Sequence, residues 1–226
     1  MKQAPPLNHT WASRRFRLAL RAVVFDYGMV LTGPPDPAAH AAMVRITGLS
    51  PQRLDALYWA DRHAYDLGSL TGEAFWQKLV RDAGLNLSQS AIEELTNWDV
   101  RMWMTENSAM LNWQLALKQS GLLTAIVSNM GDTVHEAMAR ELPWLTRFDA
   151  LVWSYQLRIA KPDGAIYRYV LEKLGTEPAE TLFIDDRPDN IVAAIAAGMQ
   201  GDVFSNVAKL REDLISMGLS KGLPLP

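Results

Sequence analysis

One short stretch near the N-terminus decides the fold: AVVFD at residues 22–26, an almost uninterrupted apolar run that Gly28 brings to an end. Its β-branched residues and the lack of any polar residue before Asp26 are typical of a strand buried on both faces in a parallel sheet. Runs of the same kind recur at residues 122–128, 148–153 and 181–185, with a weaker one at 202–205.

Segments with helical patterns separate these runs. They cover residues 132–141, 164–174, 188–197 and 207–217. Strands that alternate with helices imply right-handed crossovers and a parallel sheet covered by helices on both faces. The sequence therefore predicts an α/β fold with a doubly wound parallel sheet.

The stretch at residues 33–105 departs from this alternation, because it has several helical patterns and no convincing strand. A serine or threonine repeatedly stands just before such a pattern, where a capping side chain is expected. We predict an N-terminal extension (1–20), a core (21–32 and 106–226) and an inserted helical cap (33–105). The predicted helices of the cap cover residues 36–46, 51–66, 72–83 and 88–100.

Composition narrows the classes of function. The chain has 226 residues, 49% of them hydrophobic, which is enough for one compact core with a subordinate module. The formal net charge of -3 gives no basic field that would attract nucleic acid or a membrane surface, so we expect neither as a partner. The apolar stretches are too short to cross a bilayer, and no export signal is recognisable. The lack of cysteine excludes disulfides and Cys-based zinc sites and is compatible with a cytoplasmic location, while monomer and homodimer both remain open.

Chemically active side chains follow the predicted strands at the points where these end. Ligands of open parallel sheets bind beyond the carboxyl ends of the strands, so we expect these side chains to meet there. Lys161 joins them from the loop after the third strand, just before Pro162 opens a helix. The side chains at strand ends are Asp26, Ser128, Asn129, Asp185 and Asp186.

This set of side chains suits phosphoryl transfer, in which a protein mainly positions groups and neutralises charge. Carboxylates from different strands, with a carbonyl and a phosphate oxygen, meet the preference of Mg²⁺ for hard oxygen ligands. A carboxylate can attack phosphorus and form an aspartyl phosphate, while a lysine restrains it and balances the phosphate charge. We therefore expect a small phosphorylated substrate and Mg²⁺ as cofactor.

Four segments resemble, in order, the four motifs of the haloacid dehalogenase superfamily. The resemblance covers about residues 21–217 and implies a Rossmann-like core with an inserted helical cap. Within subfamily IA, the chain resembles the bacterial sugar-phosphate phosphatases related to glucose-1-phosphate phosphatase, and the N-terminal phosphatase domain of soluble epoxide hydrolase. The segments are VVFDYGMVL at 23–31, IVSN at 126–129, AKPD at 160–163 and FIDDRPDN at 183–190.

The resemblance implies a metal site. Asp26 would be the nucleophile and a metal ligand, and the main-chain carbonyl of Gly28 a further ligand. Asp186 would be the principal ligand of the fourth motif, and Asp185 its supporting partner at the same site. The metal would be Mg²⁺.

The resemblance also implies that Ser128 and Asn129 bind the phosphate, and that Lys161 is a catalytic residue that balances charge. The sequence departs from the common pattern at Gly28, where most members have a second aspartate that acts as general acid and base. Such catalysis is worth roughly 10²–10⁴-fold, so its loss would leave a slow enzyme or one restricted to good leaving groups. The sugar-phosphate branch also has glycine here, so the departure does not by itself imply inactivity.

We therefore expect a Mg²⁺-dependent phosphatase that acts on a small, sugar phosphate-like metabolite through an aspartyl phosphate on Asp26. Two alternatives stay open. A metal-independent 2-haloacid dehalogenase would direct the same carboxylate at carbon and needs no acid at position 28, but it has no use for the adjacent Asp185 and Asp186. A catalytically silent binding module on the same scaffold is supported only by Gly28.

Tryptophans and histidines of the predicted cap and its surroundings are further candidates. Tryptophans at helical spacing usually pack in cores, so we expect most of them to be buried and a minority to line a substrate pocket. His40 and His63 are candidates for the missing proton transfer. The tryptophans considered are Trp59, Trp76, Trp98, Trp103 and Trp113.

Overall fold

A single parallel sheet forms the centre of the molecule. The structure, a computed structural model, describes residues 19–226, so the predicted extension lies outside the described residues except for its last two. The strand order is β3-β2-β1-β4-β5, and every neighbouring pair is parallel. The predicted doubly wound α/β fold is confirmed. The strands are β1 (Ala22–Phe25), β2 (Leu123–Ser128), β3 (Ala150–Trp153), β4 (Thr181–Asp185) and β5 (Gln200–Val203).

The strand β1 lies at the centre of the sheet, and its composition explains why. All four of its residues are completely buried. Val23 and Phe25 pack into one hydrophobic cluster, whereas Ala22 and Val24 pack into another on the opposite face. This is the period-two alternation of a strand, and a strand without polar positions is stable only between two apolar layers.

After β1 the chain forms four helices before it re-enters the core at Glu106, and we call them the four-helix segment. They share a hydrophobic cluster of their own, in which Phe75 and Trp76 are completely buried. Ser50, Thr71 and Ser88 each accept a main-chain N–H at a helix start, as the sequence predicted, and such a cap contributes about 1 kcal/mol. The helices are α1 (Pro37–Thr47), α2 (Pro51–Asp66), α3 (Gly72–Asp82) and α4 (Gln89–Met102).

The remaining helices cover the two faces of the sheet. On the Phe25 face lie α5 (Ser108–Gln119), α6 (Asp132–Glu141) and, later in the chain, α10 (Val207–Ser216). A short helix, α7 (Ser154–Leu157), follows β3, and the opposite face is covered by α8 (Gly164–Leu174) and α9 (Pro188–Ala196). The sequence did not predict α5 or α7, although buried residues three and four apart after Asn107 mark the first of these.

The chain leaves the core and re-enters it at neighbouring points. Thr32 and Glu106 form an isolated antiparallel bridge, and the Gly33 N–H donates to the Thr105 carbonyl at 2.8 Å. This closure holds the four-helix segment beside the carboxyl end of β1. The predicted division into extension, core and cap stays a prediction. In the described part of the chain, none of the helices has the length and apolar character needed to cross a membrane.

Candidate active site

Asp26 directly follows the central strand and stands at the carboxyl edge of the sheet. Its main-chain N–H donates to the Ile184 carbonyl at 2.8 Å, which continues the pairing with β4 by one residue. Its Oδ1 accepts the N–H of Tyr27 at 2.6 Å. The residue is buried, with 8% of its surface exposed. The carboxylate is therefore held in one orientation by the end of the strand and the turn that follows.

Lys161 joins two carboxylates from neighbouring strands. Its Nζ lies 2.8 Å from Oδ1 of Asp26 and 2.6 Å from Oδ2 of Asp185. All three side chains are almost fully shielded from solvent, so their attraction is weakly screened. Burial alone lowers the pKa of Lys161, but the adjacent carboxylates of Asp26 and Asp185 raise it above its ordinary value. The lysine is therefore an ammonium ion that restrains the Asp26 carboxylate.

Asp185 is saturated with protein partners. Oδ1 accepts the main-chain N–H of Arg187 at 2.8 Å, and the Asn190 amide lies 3.0 Å from both oxygens of the carboxylate. With Lys161 on Oδ2, the carboxylate is fully buried and firmly oriented. Asn190 belongs to the fourth motif segment, but sequence reasoning did not single it out, because its contact with Asp185 depends on how the first turn of α9 packs beside the end of β4.

Asp186 completes a group of three carboxylates. Asp26, Asp185 and Asp186 each offer an oxygen within 4.8 Å of the others. Burial and the neighbouring Asp185 raise the pKa of Asp186. Burial raises the pKa of Asp26 to about 7, against the lowering effect of Lys161. Three crowded carboxylates with one ammonium ion leave excess negative charge, and such a set of hard oxygen donors fits a divalent cation.

Ser128 ends β2 at the same edge of the sheet, and Asn129 directly follows it. Asn129 makes hydrogen bonds that the sequence did not predict. Ser128 is buried and lines the same cavity as Asp26 and Lys161. The Asn129 amide clamps the main chain of Lys161: its Nδ2 donates to the Lys161 carbonyl and its Oδ1 accepts the Lys161 N–H, both at 2.8 Å. Asn129 therefore positions the lysine, and its predicted phosphate contact stays a prediction.

Gly28 lies in the wide helical turn Tyr27–Leu31 that follows Asp26. Its φ and ψ of -64° and 139° are open to any residue, so this backbone does not require glycine. A β-carbon placed on it would find the Trp103 ring as its nearest non-adjacent neighbour, at 3.9 Å. The next residue, Met29, has a φ of 61° and takes up the left-handed conformation of the turn. The predicted metal-binding role of the Gly28 carbonyl stays a prediction.

A cavity of about 200 Å³ lies between these carboxylates and the four-helix segment. Arg62 and Asp66 of α2 line it, and neither was singled out from the sequence. Arg62 Nε lies 2.8 Å from Asp66 and its Nη1 lies 3.3 Å from Asp99. The guanidinium also packs over the Trp103 ring, with 5.5 Å to the ring centroid. The spacing of Arg62 and Asp66 on one helix face was the available signal.

The predicted tryptophan and histidine candidates differ in whether they line the cavity at Asp26. Trp59 and Trp103 line the cavity, which agrees with the expectation that a minority would do so. Trp76 and Trp113 are buried in hydrophobic clusters, and Trp98 packs against one. Among the candidates for proton transfer, His63 is exposed and His40 lines a neighbouring cavity. Neither histidine is among the residues that line the cavity at Asp26.

Comparison with known proteins adds a family match and curated relatives. A family model described as haloacid dehalogenase-like hydrolase matches residues 20–198. Flavin mononucleotide hydrolase 1 of Arabidopsis thaliana is 42% identical over 77 residues, 33% of this chain and 31% of that protein. Bifunctional epoxide hydrolase 2 of Mus musculus is 34% identical over 113 residues, 48% of this chain and 20% of that protein. The matches thus cover only about a third or less of these relatives' length.

Solved structures share the fold. The haloacid dehalogenase-family enzyme bt-2542 of Bacteroides thetaiotaomicron, in complex with magnesium and inorganic phosphate, has a TM-score of 0.69 at 20% identity, over 82% of this chain and 94% of that one. L-2-haloacid dehalogenase of Xanthobacter autotrophicus, with chloropropionic acid covalently bound, has a TM-score of 0.63 at 22% identity, over 92% of this chain and 85% of that one. At these identities the likeness concerns the fold alone.

Proposed function

Because the chain belongs to the haloacid dehalogenase-like hydrolase family, we propose that it is a Mg²⁺-dependent phosphomonoesterase with Asp26 as its nucleophile. The observation that carries this proposal is the cluster of Asp26, Asp185 and Asp186 around the Lys161 ammonium ion. A metal-independent nucleophile has no need of three crowded carboxylates, whereas a site for a cation and a phosphate needs both charges.

The first step is attack of the free carboxylate oxygen of Asp26 on phosphorus. The bond from phosphorus to the ester oxygen breaks, the leaving group departs as its anion and takes a proton from water, and an aspartyl phosphate forms. Lys161 holds Oδ1 of Asp26 at 2.8 Å and so directs Oδ2 at the substrate. The Ser128 hydroxyl donates to a phosphate oxygen. Water then attacks phosphorus of the aspartyl phosphate, which breaks the bond to the Asp26 oxygen, releases inorganic phosphate and regenerates the carboxylate. A bound Mg²⁺, held by Asp26 and Asp186 with the Gly28 carbonyl and supported by Asp185, would neutralise phosphate charge.

The site lacks the general acid and base that most family members have at the position of Gly28. Gly28 carries no side chain that could protonate the departing oxygen or deprotonate the attacking water. The side chains of the four-helix segment that line the cavity are Trp59, Arg62, Asp66 and Trp103. Because Asp66 is engaged by Arg62, we propose that turnover depends on a good leaving group.

The substrate class follows from the resemblance and remains a proposal: a small phosphorylated metabolite, with sugar phosphates as the first candidates. The four-helix segment would act as a cap that excludes bulk water and selects the leaving group. The name of one relative, a flavin mononucleotide hydrolase, supports hydrolysis of a phosphate ester for that protein alone, and the bifunctional epoxide hydrolase is named for an epoxide. We also propose a cytoplasmic enzyme without a nucleic-acid or membrane partner, active as monomer or homodimer.

The second candidate function is a metal-independent 2-haloacid dehalogenase. Gly28 favours it, because attack on carbon with release of halide needs no acid there. The clustered carboxylates count against it. A silent binding module would account for Gly28 as well, but it leaves the orientation of Asp26 by Lys161 without a purpose.

The test is phosphate release from 4-nitrophenyl phosphate, with Mg²⁺ or with a chelator, by the native chain and by Asp26→Asn. The control is Asp82→Asn, a change of the same kind at an exposed position of α3. We expect metal-dependent release that is lost in Asp26→Asn and unchanged in the control. Release that survives in Asp26→Asn would refute the mechanism. Chloride release from 2-chloropropionate that a chelator does not affect would favour the dehalogenase. Binding of a phosphate ester without turnover would favour the binding module.

A further inference from the structure

A second cavity adjoins the cavity at Asp26, and we call it the side cavity. Trp59 and Trp103 line both, so the two cavities share these indole walls. The side cavity has a volume of about 350 Å³. Pockets for small molecules measure roughly 300–1,000 Å³, so it is large enough for a substrate fragment. Its position suits the part of the substrate that is not phosphate.

Most of the lining of the side cavity is apolar. Met43 and Leu54 are each 1% exposed and belong to the hydrophobic cluster of the four-helix segment, which fixes their positions. A ligand surface that packs on them would be withdrawn from water without displacing a polar contact. The other apolar side chains of the lining, besides the two tryptophans, are Pro35, Pro37 and Met102.

The polar groups around the side cavity already have partners. His40 Nε2 lies 2.7 Å from Asp55 Oδ1. The Tyr58 hydroxyl donates to Asp99 at 2.7 Å and lies 3.3 Å from Trp103 Nε1, which donates to it. A sugar hydroxyl that entered would lose its water and find few groups free to replace it, which is unfavourable. The chemistry of the lining therefore favours an apolar occupant.

Trp59 stands at the boundary between the cavities. It is 57% exposed, and its ring contacts Tyr58 edge to face at 5.1 Å. An exposed indole on α2 is costly to hydrate, and a ligand that spans both cavities would cover it.

We propose that the side cavity binds the leaving group, and that the substrates are phosphomonoesters of apolar hydroxyl compounds. This inference rests on the proposed phosphomonoesterase function and replaces the sugar phosphate as the favoured substrate. The phosphate lies at Asp26 and the apolar group passes Trp59 and packs against Met43 and Leu54.

The test uses alkylphosphonates from ethyl to decyl, whose carbon–phosphorus bond the proposed reaction does not cleave. Their Kd for the full chain is measured by calorimetry with Mg²⁺ present. We expect Kd to fall as the chain lengthens, by up to roughly fourfold for each buried methylene, and then to level off when the side cavity is full. A Kd that does not depend on chain length would overturn the inference.

Trp59→Ala is the matched variant, because an exposed side chain can be shortened without opening the core. It should weaken decylphosphonate roughly tenfold and ethylphosphonate, which reaches only the cavity at Asp26, by a much smaller factor. The control is Ile215→Ala on α10, which removes another exposed apolar side chain, 50% exposed, away from both cavities and should change neither. Equal losses for both phosphonates in Trp59→Ala would refute the role of the side cavity.

The binding assay needs no turnover, so it separates the two proposals. Chain-length dependence without any ester hydrolysis would support binding of an apolar group in the side cavity, but it would refute the phosphomonoesterase and with it the assignment of that group as a leaving group. Hydrolysis of 4-nitrophenyl phosphate without chain-length dependence would support the phosphomonoesterase and overturn the side cavity.

Discussion

Restoring an acid at position 28 should widen the range of esters that the protein hydrolyses. The change is Gly28→Asp. The backbone at Gly28 has φ -64° and ψ 139°, which an aspartate adopts without strain. A β-carbon would lie 3.9 Å from the Trp103 ring, an ordinary van der Waals contact in the wall of the cavity. We therefore expect the backbone and the packing at this position to accept the aspartate, so that the variant folds.

The magnitude follows from the chemistry that the new side chain supplies. A carboxyl group near the acidic cluster of Asp26 and Asp186 would have a raised pKa, because like charges disfavour its ionisation. It could protonate a poor leaving group, and general acid catalysis is worth roughly 10²–10⁴-fold. A phenol as acidic as 4-nitrophenol departs without that help. The gain should therefore appear with alkyl phosphates and be small with 4-nitrophenyl phosphate.

The assay compares kcat/KM for n-hexyl phosphate and 4-nitrophenyl phosphate in the native chain, Gly28→Asp and Gly28→Asn. The asparagine variant has the same shape and no proton to give. We expect the ratio of the two kcat/KM values to rise in Gly28→Asp alone. An unchanged ratio in a folded Gly28→Asp protein, or an equal rise in Gly28→Asn, would refute the reasoning.

Three further predictions concern the site and its surroundings. Asn129→Ala removes two hydrogen bonds to the Lys161 main chain, so it should lower kcat more than it raises KM and destabilise the fold by about 1–3 kcal/mol; an unchanged kcat would contradict the positioning role. Mg²⁺ should raise the Tm of the native chain and not that of Asp186→Asn, while the exposed Asp189→Asn keeps the shift; equal shifts in all three proteins would exclude Asp186 as a ligand. Burial raises the pKa of Asp202 from 3.8 to about 6, so its ionisation costs stability in the folded state as the pH rises from about 4 to 6. Asp202→Asn has no carboxyl group to ionise, so its free energy of unfolding at pH 7 should exceed that of the native chain by on the order of 1–2 kcal/mol, allowing for partial solvent screening. Below pH 4 the two proteins should have the same free energy of unfolding. Chemical denaturation at both pH values tests the sign.

Local chemistry made much of the fold readable from the sequence. The run at residues 22–25 has no polar position, so it predicts a strand covered on both sides, and β1 is the central strand. Ser50, Thr71 and Ser88 cap the helices that follow them, because a cap acts within three residues of the chain. The predicted strand at 202–205 lies instead at Gln200–Val203, since an edge strand has a weaker apolar pattern.

The meeting of Asp26, Ser128, Lys161, Asp185 and Asp186 at one sheet edge could also be predicted, because parallel strands that follow one another by crossovers carry their carboxyl ends to the same side. The separate roles of these residues could not be predicted from local pattern. Neighbouring residues such as Asp185 and Asp186 differ only in what the rest of the fold brings to them: one is enclosed by Lys161 and Asn190, and the other is half-buried at the cavity.

The sequence by itself thus determined the layers of the fold and the edge where the chemistry lies, since both follow from local pattern and from the geometry of parallel strands. Only the tertiary structure decided that Asn129 clamps Lys161, that Arg62 is bound by Asp99, and that an apolar cavity adjoins the carboxylates. These features depend on contacts between segments 30 or more residues apart, such as Asn129 with Lys161 at a separation of 32, or on helices packing against one another. No local pattern encodes such contacts, because side-chain distances across the fold are set by the packing of whole elements.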